Sequence, residues 1–502
     1  MWKDDEAISM NSNKMWPYRC AGRRKCGKQE QGQHMKVKFY VQMQRRKPPC
    51  LGLRMYMKEG FVIGKIIVID SPCGAGKTSF AIQRMTEDRE NSYIFCTPFL
   101  GEIARIRREC GKDRFVEPHN FDSSKLDDFN RLLSEGADIA VTHSTFINAT
   151  LETLSLIEQG EYTIFLDEAM DVIVDFNKVT SVERSPEQTA NSKDIEILTE
   201  KGFIEIGDHG LVRWVGGDCQ GSKFSEVERL ARLNRLYCVN GSMLVCVFPP
   251  EIFRAFKQVY VMTYLTDGNL IKYYFDIFGL EYTVVNVTHD GIRYQIAEYN
   301  TEVEHAFRAK CRELIEVCDL PRLNAGYKKT AFSKNWYGSA MGKGDVVRRL
   351  RTDLTYYFTR VAKAKAGNYD ILWTCPNEYR TKVQGKGYTC VRQMTSDEQK
   401  LKGKELKNVE KKLTCFAPLN TRATNDYKER WALAYCYDMH MHPMIKGFIY
   451  SFGLEVNEEL FALSCLVQWI FRSRIRDGKK IMLYLPSPRM RKIFLRWLDG
   501  QL

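Results

Sequence analysis

Residues 66–85 read IIVIDSPCGAGKTSFAIQRM. An apolar run, KIIVID, is followed by a short glycine-containing loop and then by the helical pattern SFAIQRM. Strand, tight loop and helix in that order form the unit whose backbone N–H groups converge on an anion at a helix N-terminus. The phosphate-loop pattern G-x-x-x-x-G-K-[ST] is met at every position but the first, where Ser71 replaces glycine. That position only has to be small as the chain leaves the strand. The reading therefore assigns Ser71, Pro72, Cys73, Gly74, Ala75, Gly76, Lys77, Thr78 and Ser79 to a nucleotide cradle. Gly74 and Gly76 supply the permissive dihedrals, Lys77 a point charge for the β- and γ-phosphates, and the Thr78 hydroxyl a ligand for Mg²⁺.

Ninety residues past Lys77, YTIFLDEAM places Asp167 and Glu168 at the end of another apolar strand. An aspartate there can hold Mg²⁺ through water, and the adjacent glutamate can polarise an attacking water as a general base. A helix N-cap would use the same two residues, but the phosphate loop favours the catalytic reading. A small-molecule kinase would not need the second acid.

Short apolar runs alternate with helical patterns from Gly64 onward: KIIVID, SYIFCTP, ADIAVTH, YTIFLDE and QVYVMTY. Buried parallel strands look like this, so the fold class is α/β. Residues of about 175–250 interrupt the rhythm and read as an insertion, with GFIEIGDHGLVRWV a hairpin turning at Asp208 to Gly210. A second α/β unit is expected to open near Tyr294 (RYQIAEY), to continue through YDILWTC and to close with KIMLYLP. The domain division is 1–60, a basic N-terminal extension; 61–290; and 291–502. Residues 1–60, with RCAGRRKCGK and QRRKPPC, read equally as a flexible basic arm or as an over-extended start.

The chain has 502 residues, a formal net charge of +13 and 16 cysteines, with no CxxC pair. The charge favours a polyanionic partner. The scattered cysteines suit a reduced compartment, hence a cytoplasmic protein. CYDMHMH (Cys436, His440, His442) lacks the second half-site of a structural zinc centre. The most apolar stretch near the start, FVIGKIIVI, is short and carries Lys65, so no membrane span is expected.

Near the C-terminus, NEELFALSCLVQWIFRSRIR begins with Asn457 as a helix cap and sets Gln468 and Arg472 on one face. Arg476 lies one turn further if the helix lasts. A polar row on an apolar helix fits either a surface stripe or an arginine finger reaching a nucleotide across a cleft.

Together these segments resemble the superfamily 2 (DEAD-like) helicases, and most nearly their bacteriophage-type DNA helicases. SPCGAGKT resembles motif I and LDEA motif II. IFCTPFLGEIARI, with Thr97 and Pro98, resembles motif Ia; Thr142 and His143 resemble the motif after it; Thr263 in VMTYL resembles motif III. QWIFRSRIR resembles motif VI, with Phe471 in place of its glycine and the last arginine one position late, so that Arg472, Arg474 and Arg476 all compete as the finger. NTRATNDYKER sets Arg422, Ala423, Thr424 and Asn425 near motif V. The likeness covers roughly residues 60–502. It implies two RecA-like domains with parallel sheets closing on ATP and Mg²⁺, and catalysis by Lys77, Asp167, Glu168, Gln468, Arg472 and Arg476. It also implies nucleic-acid coupling through Thr97, Pro98, Thr142, His143, Thr263, Arg422, Thr424 and Asn425. The implied activity is that of an ATP-dependent helicase or translocase on nucleic acid, single-stranded DNA first, in phage replication or recombination within the host cytoplasm, with replication proteins as further partners. The alternatives are a terminase-like DNA-packaging ATPase, an ATP-switched nucleic-acid clamp that does not unwind, and a P-loop kinase. Trp336, Tyr337 and Trp373 are aromatic candidates for base stacking, against a plain core role.

Overall fold

The computed structural model describes residues 57–58, 61–62 and 64–502, except 112, 121–123, 179–189, 220, 341–343 and 420–424. The N-terminal extension up to residue 56 and Arg422, Ala423 and Thr424 therefore lie outside the described residues.

The first sheet has eight strands: β1 (Ile66–Asp70), β2 (Tyr93–Thr97), β3 (Phe115–Val116), β4 (Asp138–Thr142), β5 (Thr163–Asp167), β6 (Gln258–Thr263), β7 (Tyr282–His289) and β8 (Tyr294–Glu298), in the order β8-β7-β1-β6-β5-β2-β4-β3. All pairings are parallel except β7 with β8. The β-branched and aromatic runs of β1, β2 and β5 are buried along their whole length, as strands covered by helices on both faces must be. Helices α1 (Lys77–Glu87) and α2 (Leu100–Cys110) follow β1 and β2.

Register fixes where chemistry can occur. Thr263 pairs with Asp70 and Met262 with Asp167, so the C-terminal ends of β1, β5 and β6 line up at one edge of the sheet. In open α/β sheets that edge is where ligands bind.

The stretch between β5 and β6 holds a three-stranded antiparallel sheet (Ile173–Asp175, Leu236–Val239, Met243–Val247). It also holds a hairpin in which Ile204–Ile206 pairs with Val212–Trp214 around the turn Asp208–Gly210.

The segment RYQIAEY does not open the second unit. As β8 it turns back antiparallel on β7. The turn carries the cause: Asp290 Oδ1 accepts the N–H groups of Ile292 and Arg293, and Gly291 takes φ 101°. An Asp-Gly pair between two alternating runs is a hairpin signal, and here it outweighs the strand-then-helix rhythm. The second sheet instead begins after α3 (Thr301–Leu314) and orders its strands β9 (Ile315–Val317), β12 (Ile481–Tyr484), β11 (Ala432–Tyr435) and β10 (Ile371–Thr374), all parallel.

Several contacts join the lobes built on these sheets. Helix α4 (Pro443–Ser451) sends Met444, Phe448 and Ile449 into the apolar core of the first lobe, where Phe448 meets Tyr237 edge-on at 5.1 Å. His209 of the inserted hairpin stacks on Phe452 at 4.4 Å and its Nδ1 lies 2.7 Å from the Ser451 carbonyl. The start of α5 (Glu458–Ile470) rests on the turn Thr266–Gly268. A Cβ on Gly268 would come within 2.5 Å of the Leu460 carbonyl, so only glycine permits this approach.

Replacing Gly268 by valine should therefore push α5 away and destabilise the fold by about 1–3 kcal/mol, the usual cost of overpacking. Urea unfolding of both proteins checks this; a midpoint unchanged from wild type would show that the contact is dispensable.

Candidate active site

The glycine loop is held from three sides. The Ser71 N–H donates to the Thr263 carbonyl at 3.2 Å, and Ser71 Oγ accepts the Val287 N–H at 2.8 Å. Asn286 Nδ2 donates to the Asp70 carbonyl at 2.6 Å. Ser71 is fully buried, which explains why a small residue with one hydroxyl replaces the customary glycine. Gly74 and Gly76 take φ of 86° and 94°, the left-handed region. At Gly76 a side chain would also collide with the Tyr294 ring, which β8 lays against the loop. Gln83 locks β8 there by donating to the Tyr294 carbonyl at 3.1 Å and accepting its N–H at 2.9 Å.

Asp70 ends β1 with its carboxylate buried. It accepts the N–H of Leu265 at 3.0 Å and of Thr266 at 2.9 Å. Burial still pushes its carboxyl above the usual carboxylate range, opposed by these hydrogen bonds and by Lys77.

Asp167 is a buried acid with two further acids close by. Its carboxyl is pushed up to about 7, chiefly by burial, then by the neighbouring charges of Glu168 and Glu102. Thr78 Oγ1 donates to its Oδ1 at 3.4 Å and Thr97 Oγ1 to its Oδ2 at 3.1 Å. Thr78 and Asp167 thus offer hard oxygen donors side by side, the set that suits Mg²⁺. Glu168 follows in the left-handed region at φ 64°, its N–H donating to the Met262 carbonyl at 3.0 Å. A non-glycine residue held there costs on the order of 1–3 kcal/mol, and such outliers gather at functional sites. Lys77 Nζ folds back on the carbonyls of Ser71 and Pro72, and burial lowers its pKa.

Facing these groups, across the seam, α5 is capped as its sequence predicts: Asn457 Oδ1 accepts the Leu460 N–H at 3.0 Å. The helix stops at Ile470, and residues Arg474–Asp477 form a separate 3₁₀ turn. Arg476 is therefore carried by this turn and not by a further turn of α5. Gln468 Nε2 donates to Ser464 Oγ at 3.2 Å, and Ser464 Oγ donates to the Tyr264 carbonyl at 3.3 Å. Arg472 is 8% exposed; its Nη1 donates to the Leu419 carbonyl at 3.2 Å, and among the described residues its Nε has no hydrogen-bond partner. A buried guanidinium with an unused donor is ready for an anion. Arg474 turns elsewhere, stacking its guanidinium over Trp431 at 5.3 Å and donating to the Lys480 carbonyl at 2.6 Å.

One cavity of about 360 Å³ gathers both sides. Lys77, Thr78, Asp167 and Glu168 line it from the first lobe; Gln468, Arg472 and Arg476 line it from the second. Pro72 and Ala75 belong to a neighbouring cavity, while Cys73 and Gly74 line both.

The residues aligned with the nucleic-acid motifs are dispersed. Thr97 is fully buried and spends its hydroxyl on Asp167; Pro98 follows it half-buried. Thr142 Oγ1 lies 2.9 Å from Ser144 Oγ, and His143 is buried at the start of a short helix. Thr263 accepts from Asn269 Nδ2 at 2.8 Å and lines the cavity. Asn425 begins a single 3₁₀ turn. Tyr337 and Trp373 are core residues, donating to the carbonyls of Cys436 and Tyr388; Trp336 packs on Phe332 at 4.8 Å. Cys436 is buried among apolar side chains, and His440 Nε2 lies 2.9 Å from Asp438 Oδ2.

Sequence reasoning missed Asp70, Asn286, Tyr294 and the pair Glu102 and Arg105, which line or brace the cavity. The Asp-Gly turn at residues 290 and 291 is the signal that would have brought Tyr294 to the first sheet. Nothing local marks the others.

Fold and site define a two-lobed α/β protein with a glycine-loop cradle at the seam. The chain belongs to the YonV family. It is 33% identical over 451 residues to the "SPbeta prophage-derived uncharacterized protein YonV" of Bacillus subtilis (strain 168), a match covering 87% of this chain and 99% of that protein. Residues 309–498 match the YonV C-terminal Rossmann-like domain. Among solved structures, the chain is similar to one titled XPD_APO, with a TM-score of 0.48 and 15% identity, over 87% of this chain and 96% of that one. It is also similar to an Xpd4 of S. tokodaii, with a TM-score of 0.45 and 12% identity over 86% and 94%. Among the described residues no helix is long and apolar enough to cross a membrane.

Asp70→Ala should leave the Leu265 and Thr266 N–H groups buried and unpaired, costing about 1–3 kcal/mol for each. Asp70→Asn, which keeps one acceptor, should cost less. Denaturant midpoints of the three proteins test the ranking, and equal midpoints would remove Asp70 as the brace of the turn.

Proposed function

We propose that the chain is an ATP-dependent helicase or translocase acting on nucleic acid, single-stranded DNA first. The observation that carries this reading is the shared cavity: a lysine, two acids and a threonine from one lobe face a glutamine and two arginines from the other. A triphosphate between them would meet loop N–H groups, the Lys77 ammonium and the Arg472 guanidinium, each stronger in a half-closed cleft than in water.

In the proposed mechanism the loop binds the phosphates and draws Lys77 off its own carbonyls. Thr78 and Asp167 would hold Mg²⁺, which when bound neutralises charge on the β- and γ-oxygens. Glu168, displaced into the cavity by its backbone conformation, orients and deprotonates water at its carboxylate. Arg472 and Arg476 supply positive charge where it develops in the transition state. Since these arginines and the acids sit on different lobes, nucleotide state and lobe closure are coupled. Binding to the strand would run through backbone phosphates, hence be salt-sensitive and largely indifferent to sequence. The net charge of +13 and the prophage origin of the YonV relative support that partner and a setting in phage nucleic-acid metabolism within the host cytoplasm; replication proteins are natural associates.

A second reading is supported by the apolar seam at α4. Phe448 and Ile449 are fully buried against the first lobe, which limits how far the lobes can part. This favours an ATP-switched clamp that grips nucleic acid without separating strands, and strand displacement on a fluorescent duplex distinguishes it from a helicase.

ATP hydrolysis measured in parallel with single-stranded DNA, double-stranded DNA and RNA should be stimulated several-fold by at least one of them, single-stranded DNA foremost. Lys77→Ala should abolish turnover; hydrolysis that survives it would refute the nucleotide site. Glu168→Gln should bind ATP and stall, while Arg472→Ala should lower the rate by about 10²–10³ with a smaller effect on ATP affinity, as loss of a transition-state donor does. Turnover of Arg472→Ala at the wild-type rate would leave Arg476 as the finger.

A further inference from the structure

Beside the phosphate loop lies a second cavity, of about 260 Å³. Its floor is the outer side of the loop, Pro72 to Ala75. Its walls come from the first helix of the second lobe, α3, through Val303, Phe307, Cys311 and Leu314, and from the segment after α5, through Phe471, Ile475 and Arg476. Phe471 and Arg476 also line the first cavity, so the two spaces adjoin across those side chains. The Phe307 and Phe471 rings lie 5.1 Å apart, tilted by 36°, and Phe307 is buttressed by Tyr264 at 5.5 Å and Trp497 at 6.1 Å. The polar side chains of the lining, thiols aside, are Lys310 and Arg476, both of them pure donors.

From this geometry we infer that the second cavity is the nucleoside subsite: the base of the nucleotide inserts against Phe471 and Phe307, on the second lobe, while its phosphates occupy the loop. The inference rests on the nucleotide reading given above and deepens it. An apolar slot with aromatic walls fits a planar heterocycle, which gains dispersion and stacking there. Lys310, which lines this cavity alone, donates to a ring nitrogen or exocyclic oxygen of the base, while Arg476 at the border stays with the phosphates. Among the described residues no carboxylate or amide side chain lines the slot to accept from an exocyclic amino group. The side chains therefore reward a large flat ring without requiring the amino group of adenine. This also gives Phe471 a purpose: a ring at the end of α5 builds the wall that glycine could not. Because that wall belongs to the second lobe, the base and not only the γ-phosphate holds the lobes together.

Equilibrium binding of ATP, GTP, UTP and inorganic tripolyphosphate, with Mg²⁺, to the full chain tests this. Wild type should bind ATP on the order of tenfold or more tighter than tripolyphosphate, the range that one stacked base supplies. ATP and GTP should agree within about tenfold, since no side chain reads the amino group, and UTP should bind more weakly for want of ring area. Phe307→Ala should erase most of the ATP advantage and leave tripolyphosphate affinity as it was. Val303→Trp, which fills the slot without removing a packed ring, should do the same; unchanged tripolyphosphate binding certifies that each variant is folded. An ATP advantage that survives in both folded variants overturns the subsite, and a preference for ATP over GTP on the order of 10⁴ overturns the absence of amino-group reading. Should wild type bind neither ATP nor tripolyphosphate, the phosphate site itself fails, a result distinct from loss of the base term alone.

Discussion

The buried carboxylate of Asp70 is the constraint on which the rest depends. It stands one residue before the glycine loop, at the end of β1, and grips the N–H groups of Leu265 and Thr266. Those residues open the turn that supports α5. Leu265 itself is in the left-handed region at φ 57°, a conformation the carboxylate helps to hold. A charge taken out of water in this way is tolerable only because two donors face it. Through it, the strand that aims the loop and the surface that seats the second lobe are one rigid piece. The cavity with residues from both lobes is the result.

The α/β class and the strand ends of the first sheet were legible because fully buried parallel strands are nearly unbroken apolar runs. The loop was legible even with Ser71, since Gly74, Gly76, Lys77 and Thr78 are demanded by local geometry alone. Asn457 and its helix could be read for the same reason: a cap and a period are short-range facts. What escaped was set at long range. Asp70 looks like any strand-end acid until β6 places Leu265 and Thr266 beside it, 195 and 196 residues away. Tyr294 looked like the start of a new unit until its hairpin folded it onto Gly76. Strand β9 has three residues and β11 four, too short for their periodicity to stand out.

The arginine row shows the same limit. Gln468, Arg472 and Arg476, four residues apart, invite a single helical face, yet the helix ends at Ile470, before both arginines. Packing then sorts them: Arg472 is drawn under the seam, Arg474 onto Trp431, Arg476 to the edge of both cavities. Sequence gave the inventory of cations, and tertiary contact chose among them. Thr97 is a parallel case, since a residue aligned with a strand-binding motif has its hydroxyl committed to Asp167.

The packing of α4 has a mechanical corollary. Gly447 brings the helix so near the inserted sheet that an added Cβ would stand 2.9 Å from Val239 Cγ1. Close-packed apolar surfaces slide or roll at little cost but resist being pulled apart. The second lobe is thus fastened to the first on separate surfaces, at α4 against the inserted sheet and at α5 against the turn Thr266–Gly268. A side chain added at Gly447 would therefore press on the inserted sheet and not on the cavity, so the fit of α4 can be altered without touching the phosphate loop.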